Sequence, residues 1–515
     1  MKHIMITTTH APVEQPHTAD TPTIRFLDAF CTLTVAWLLL VGLWSGPSLG
    51  ATLAYPNGLL AVECGLTILL ILLALHRRVL PVITYPFFWP SLIVLALLIM
   101  VMAERVIFQE AAVEGLSLWK YGEPIVRGLL LYLAIAGRPR MVRVAIVSLL
   151  LGMLLLAGAT ILQHLTGVTR WYVDMDGGWA SGIQAIAGGR AQGLTSYVNL
   201  TAAMLAASLP FWIVLAVFRV SPTRWMRVGL FLGGAMTMAA LWYTNSRGPM
   251  VALAMVSCLA LIRLSPRWGI STVLGVGGFL LIVWPSTPWW ALVGFLAALP
   301  LGVILWKRGA RYWLPLAVGF AMGGGLLVVD AYVLHYPLTW RVATAGLVDN
   351  ARLDIYTEAL RIVREHPWWG IGDTAVGERV IALPLLHSLP RIQRNLHNQY
   401  LQWAAAEGLP VGIVFTVLVL WSVAWCWRNA PAWPTPLSQA LGWATTIGLA
   451  TFLVANLADA HFWRIEGGGF FWSLFAVTAA LSQPPRSPSP DAPLFSKVQG
   501  KLLIWWNKQS NRMDM

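Results

Sequence analysis

An all-α bundle of membrane-spanning helices is the fold class this sequence predicts, and three observations carry the prediction. The chain has 515 residues, 57% hydrophobic and 11% charged, with a mean hydropathy of +0.67, whereas soluble domains are about half apolar and about a quarter charged. Runs such as Leu66 to Leu75, Leu92 to Ala103 and Leu409 to Leu420 are continuously apolar, which excludes barrel strands, because those alternate polar and apolar residues. Basic clusters recur at alternate connections between the runs, as they do when a chain threads a bilayer back and forth.

Taken in order, residues 1–25 form a polar N-terminal segment without the charged, apolar and cleavage regions of a removable signal peptide. The first span, near Phe26 to Leu43, is expected to act as its own anchor. The chain offers about fourteen candidate spans in all, at roughly 20 residues each. His76-Arg77-Arg78, Arg138 to Arg143, Arg219 to Arg227, Arg263 to Arg267, Lys307 to Arg311 and Arg428 fall on one side, which the positive-inside rule makes the cytoplasm. Both termini then lie inside. The organisation is a first part of the bundle over 26–334, a long outward loop over 335–396, the rest of the bundle over 397–482, and a tail over 483–515. A Pro- and Ser-rich linker opens that tail, and Lys497 to Lys508 reads as a basic, Trp-bearing interfacial helix. The formal charge of +13 therefore reports orientation, and no nucleic-acid partner is expected. Cys31, Cys64, Cys258 and Cys426 sit in or beside apolar runs with no metal-ligand spacing, so they read as small core hydrophobes.

Two outward segments, Gln163 to Ser196 and His335 to Leu396, are long enough to carry chemistry. The second contains an amphipathic helix with apolar positions Leu353, Tyr356, Leu360 and Val363, expected to open at a cap on Asp349-Asn350 and to stop at Pro367. Its seven arginines include Arg341 and Arg352, and it has no lysine, a choice that suits bidentate recognition of phosphate or carboxylate. Asn245-Ser246-Arg247-Gly248 is a connector too short to carry Arg247 far from the membrane. The arginine either snorkels to headgroups or waits for a phosphate beside the N-terminus of the following helix. Arg190-Ala191-Gln192-Gly193, followed by Asn199, is a third place where arginine meets the interface, as an anchor or as an anion contact. His397-Asn398-Gln399-Tyr400 ends the long loop where the next apolar run begins. A histidine there is either structural or a base within reach of a hydroxyl on an amphiphile, and His335, His366 and His387 compete with it.

Asp174-Met175-Asp176 has the form of an acidic pair that holds a divalent cation, but two carboxylates do not fill a six-oxygen shell and Gly177-Gly178 suits a plain turn. No metal site is therefore expected. The 28 tryptophans cluster at span ends, including Trp368-Trp369, as aromatic belts do. No nucleotide-binding, serine-esterase or zincin motif occurs. A transporter or lipid flippase would place ionisable groups at mid-membrane, where there are only a few candidates, such as Glu63 and Glu407, while the arginines gather at one face.

The ordered set of Arg190-x-x-Gly193, Asn245-Ser246-Arg247-Gly248, Arg352, His366-Pro367-Trp368-Trp369-Gly370-Ile371-Gly372 and His397-Asn398-Gln399-Tyr400-Leu401-Gln402 resembles the O-antigen ligase and polymerase superfamily of bacterial envelope glycosyltransferases. The resemblance runs from about Arg190 to Glu407 in motifs. It implies a GT-C-like bundle of about twelve helices in the inner membrane with its active site and long loop facing the periplasm. The two surplus spans are placed in the hairpin Gly269 to Trp306. It implies undecaprenyl pyrophosphate-linked glycan as donor, lipid A-core as acceptor for a ligase, contact with membrane lipids, and no cofactor. Carried over residue by residue, it makes His397 the base and Arg247 and Arg352 the catalytic cations. Arg190, Arg341, Asn398 and Tyr400 are expected to line the substrate site. Polymerases and protein O-oligosaccharyltransferases share the pattern, so the acceptor stays open between them.

Overall fold

In a computed structural model of the chain, the described residues are 88–108, 121–136, 139–166, 191, 193–195, 197–217, 223–244, 246–264, 345–383, 395–433, 435–462 and 465–482. Among them are twelve α-helices and no strand. In chain order these are α1 (Phe88–Phe108), α2 (Glu123–Ile135), α3 (Pro139–Thr166), α4 (Val198–Val217), α5 (Arg224–Thr244), α6 (Arg247–Leu264), α7 (Ala345–Glu365), α8 (Asp373–Ile381), α9 (Gln399–Glu407), α10 (Leu409–Asn429), α11 (Pro436–Ala455) and α12 (Ile465–Leu481). The expected first span, the hairpin Gly269 to Trp306, Arg190, Arg341, Asp174, Asp176 and the tail lie outside the described residues.

The chain is an all-α polytopic membrane protein. Among the described residues, four helices are long and apolar enough to cross a bilayer: most of α3, α4, α10 with the turn after it, and α11. Burial sorts them. α4 and α11 are buried over most of their length, whereas less than half of α3 and of α10 is buried. The exposed residues form stripes, Val147, Leu151, Leu155 and Leu162 on α3 and Ile413, Val417 and Leu420 on α10. Apolar side chains repeating every three to four residues on an outer face suit hydrocarbon rather than water.

α4 and α11 pack together at the centre, with α5 and α6 on one side and the α2–α12 pair on the other. Their approach is close because a Cβ at Gly448 of α11 would overlap the Ala207 carbonyl oxygen of α4, the small-residue contact that lets helices associate without a hydrophobic drive between them. Thr445 and Thr478 join α11 to α12 through their hydroxyls at 2.5 Å. Cys426 is a fully buried free thiol, as expected of a small core hydrophobe.

The helix of the long loop is present, but its buried face is Ile355, Ala359 and Ile362, in a small core with Val376, Val380 and Leu396, whereas Leu353 and Leu360 of the expected apolar face are exposed and Tyr356 and Val363 are half-buried. It stops at Glu365, just ahead of Pro367, as the proline dictates. Its start differs from expectation. The helix opens at Ala345, four residues before Asp349, so Asp349-Asn350 lie within its second turn and do not cap it; a local capping preference yields to the longer run. The loop's end also differs. Gln399 does not open the next span but the separate nine-residue α9, and α10 begins only after Gly408. The outward connector expected from Gln163 starts later as well, since α3 runs on to Thr166.

Two backbones interlock at this junction. Leu409 N donates to Pro367 O at 2.8 Å, Ile371 N to Ala405 O at 3.0 Å and Gly372 N to Ala406 O at 3.0 Å. Gly370 and Gly408 have φ of 64° and 87°, and a Cβ on either would overlap a main-chain oxygen of the other segment, Ala406 O and Trp368 O respectively. The loop helices are thereby fixed to the top of a membrane span.

Candidate active site

The described residues of four connections meet at one end of the bundle: 191, 193–195 and 197 before α4, Ser246 before α6, 395–398 before α9, and 456–462 after α11. Backbone bonds tie them together, Ala191 N to Tyr243 O and Gln399 N to Asn456 O, both at 3.0 Å. Gln163 Oε1 accepts from Gly193 N at 2.7 Å. The peptide after Arg190 and the end of α5 that leads to Ser246 are therefore neighbours in space.

His397 stands at the centre. It is the single non-glycine residue with positive φ, 50°, among the described residues. For a residue bearing a Cβ this conformation costs of order 1–2 kcal/mol and persists only when its surroundings impose it. They do. The His397 N–H donates to Asn395 Oδ1 at 3.0 Å, and its carbonyl accepts from the Tyr356 hydroxyl of α7 at 3.2 Å. Asn398 caps α9, its Oδ1 accepting from Tyr400 N at 3.0 Å and Leu401 N at 3.1 Å, while its Nδ2 donates to Leu457 O. Helix capping and backbone strain together aim the imidazole.

The ring faces a carboxylate. His397 Nδ1 lies 3.4 Å from Asp459 Oδ1, with side-chain exposures of 12% and 4%. That is ion-pair range and long for a hydrogen bond, a looseness expected before substrate closes a site. With Nδ1 turned toward the acid, Nε2 is the nitrogen left to exchange a proton. Asp459 Oδ2 accepts from Asn199 Nδ2 at 2.5 Å, and Asn199 Oδ1 accepts from Ser246 Oγ at 2.9 Å. Burial alone would raise the Asp459 carboxyl. The His397 contact, the nearby charges of His397 and His461 and the Asn199 amide outweigh it and hold the group well below the usual carboxylate range.

Arg247 opens α6 directly after Ser246; its side chain lies outside the described residues. Arg352 is half-buried on α7, one turn before Tyr356 and hence on the face that meets His397. It joins no ion pair among the described residues, whereas Arg361 and Arg379 are tied to Glu358 and Glu365. The structure thus brings together His397, Asn398 and the peptide leading into Arg247, with Arg352 on the helix whose Tyr356 hydroxyl reaches the His397 carbonyl. The Tyr400 hydroxyl donates to Leu453 O at 3.0 Å, which ties α9 to α11. No group of three or more metal-binding side chains occurs among the described residues.

Residues 286–416 match the O-antigen ligase family model. The match contains Arg341, Arg352, His397, Asn398 and Tyr400, and it bears out over that stretch the likeness to the O-antigen ligase superfamily. Arg190, Asn199, Arg247 and Asp459 fall outside it and are joined to the ligase-like stretch by the contacts above. None of the curated proteins matches the chain.

Asp459, Asn395 and Tyr356 were not legible as site residues. Asp459 is 62 positions from His397, and only the packing of α11 on α9 brings them together. Its position at the head of an outward connector was the one available signal.

His461, two residues beyond Asp459, is fully buried with both ring nitrogens unbonded among the described residues, against Phe452 at a centroid distance of 5.6 Å. Burial pushes its pKa down to about 4, with Asp459 opposing and His397 adding to the shift. A histidine depressed from about 6.5 binds fewer protons folded than unfolded between those values, so stability is complete above about pH 6.5 and falls as pH drops toward 4. The low-lying Asp459 extends the loss below about pH 4. Melting of the purified protein should therefore move to lower temperature from pH 7 to pH 4.5, and His461→Phe should flatten that slope.

Proposed function

We propose that the chain is an inverting glycosyltransferase that moves glycan from undecaprenyl pyrophosphate to lipid A-core at the periplasmic face of the bacterial inner membrane. The observation that carries this reading is the strained His397, inside the ligase-like stretch, facing Asp459 at a site tied through Asn199 to the turn that leads into Arg247. His397 Nε2 takes the proton of the acceptor hydroxyl, whose oxygen attacks the anomeric carbon as the bond to undecaprenyl pyrophosphate breaks. The proton rests on an imidazolium stabilised by Asp459. Arg247 and Arg352 neutralise the leaving pyrophosphate, which fixed cations in a dry interfacial cavity can do without rearranging. Arg190 and Arg341 extend the phosphate contacts, and Asn398 and Tyr400 shape the acceptor side.

Purified protein offered the lipid-linked glycan and lipid A-core should place one glycan block on lipid A-core. EDTA should leave the rate unchanged, since arginines and not a cation at Asp174 and Asp176 hold the pyrophosphate. Elongated lipid-linked glycan would assign a polymerase instead, and the absence of any covalent product would overturn the enzyme reading in favour of transport.

A further inference from the structure

The side-chain amide of Asn199 uses both of its ends, and each holds a different part of the site. Nδ2 reaches Asp459 Oδ2, the oxygen that does not face His397. Oδ1 receives the hydroxyl of Ser246, the residue immediately before Arg247. The Tyr197 hydroxyl, accepting from Nδ2 at 2.9 Å, helps fix which end points which way. These bonds link chain segments 47 and 260 residues away from Asn199.

An amide meets both demands with separate atoms. The acid needs a donor and the serine hydroxyl needs an acceptor. A carboxylate at 199 would turn like charge on Asp459, and an apolar side chain would leave a buried carboxylate oxygen without its donor. Asn199 stands in the first turn of α4, so one rigid, centrally packed helix carries the link.

The geometry points to Asn199 as a positioning residue that couples the His397–Asp459 pair to the turn carrying Arg247, so that base and donor-phosphate cation are set in one register. What the two ends position rests on the proposed function. Moving the amide misplaces both: the carboxylate loses its orientation toward His397, and the start of α6 shifts under the arginine. A displacement of about 1 Å is enough to cost a large factor in rate.

Steady-state kinetics of the full-length protein in lipid nanodiscs, with lipid-linked glycan varied, separate the two ends. Ser246→Ala cuts the donor side and should raise the donor KM about tenfold while kcat falls less than about threefold. Ser246→Thr keeps the hydroxyl and should restore KM. Asn199→Ala cuts both ends and should show the same rise in KM together with a kcat loss of about 10- to 100-fold. The exchange Asn199→Asp with Asp459→Asn keeps the hydrogen bond and the acceptor for Ser246 but carries the charge away from His397. Its KM should return to within about threefold of wild type while kcat stays low. A purely structural role would instead reduce the folded fraction with no split between kcat and KM. Values for Asn199→Ala within about twofold of wild type, or equal kcat losses in Ser246→Ala and Asn199→Ala, overturn the coupling alone. Wild-type protein that neither transfers glycan nor binds undecaprenyl pyrophosphate overturns the proposed function, and the coupling with it.

Discussion

Replacing His397 by alanine lowers glycan transfer about 100- to 10,000-fold while donor binding is largely kept, because the imidazole is asked for proton transfer and not for holding pyrophosphate. Asp459→Asn follows the same pattern with a smaller loss: the side chain keeps an oxygen near Nδ1 but no longer stabilises the imidazolium that forms in the transition state. The two losses should not add, since each disables the same pair. Transfer rates alone cannot separate this from unfolding, so donor binding and melting temperature belong in the same experiment. Unchanged transfer by the His397 variant would remove it as the base.

Gly408→Ala abolishes the anchored loop even though it adds a single methyl group. Alanine is strained at φ of 87°, and its Cβ would collide with the Trp368 carbonyl oxygen. Relief requires parting the strand of bonds from Leu409 N to Pro367 O and from Ile371 N to Ala405 O. Conformational strain plus these losses come to more than about 3 kcal/mol. Thermal unfolding in detergent should show a large drop in melting temperature together with lost transfer. Gly229→Ala, on an exposed stretch of α5 where nothing lies within 4 Å of the added carbon, should be neutral or stabilising by roughly 0.5–1 kcal/mol. Equal behaviour of the two variants would contradict the interlocking of Gly370 and Gly408.

Fold class was legible because a bilayer accepts few solutions, and a mean hydropathy of +0.67 with basic connectors selects among them. The stop of α7 was legible in Pro367, whose ring cannot continue a helix. Its start was not, because Asp349 and Asn350 offer a local cap that a longer helical run overrides. The break at Gly408 was hidden for a related reason: α9 and α10 read as one apolar stretch, and only the approach of Trp368 shows why a glycine divides them. At the candidate site, the places of His397 just ahead of α9 and of Ser246 just ahead of α6 were legible, because short motifs fall at segment ends. Asp459 and the bridging use of Asn199 were not, since their partners lie far along the chain and tertiary packing alone selects them.

The carboxylate that serves His397 resides in the turn between α11 and α12, the last two helices of the described bundle. A chain threaded into the bilayer from its N-terminus carries its histidine outward before that turn exists. Until the closing hairpin is seated against α4, the imidazole lacks Asp459 and the Asn199 amide holds only Ser246. On the proposed mechanism the base is therefore complete only once the last described hairpin is seated.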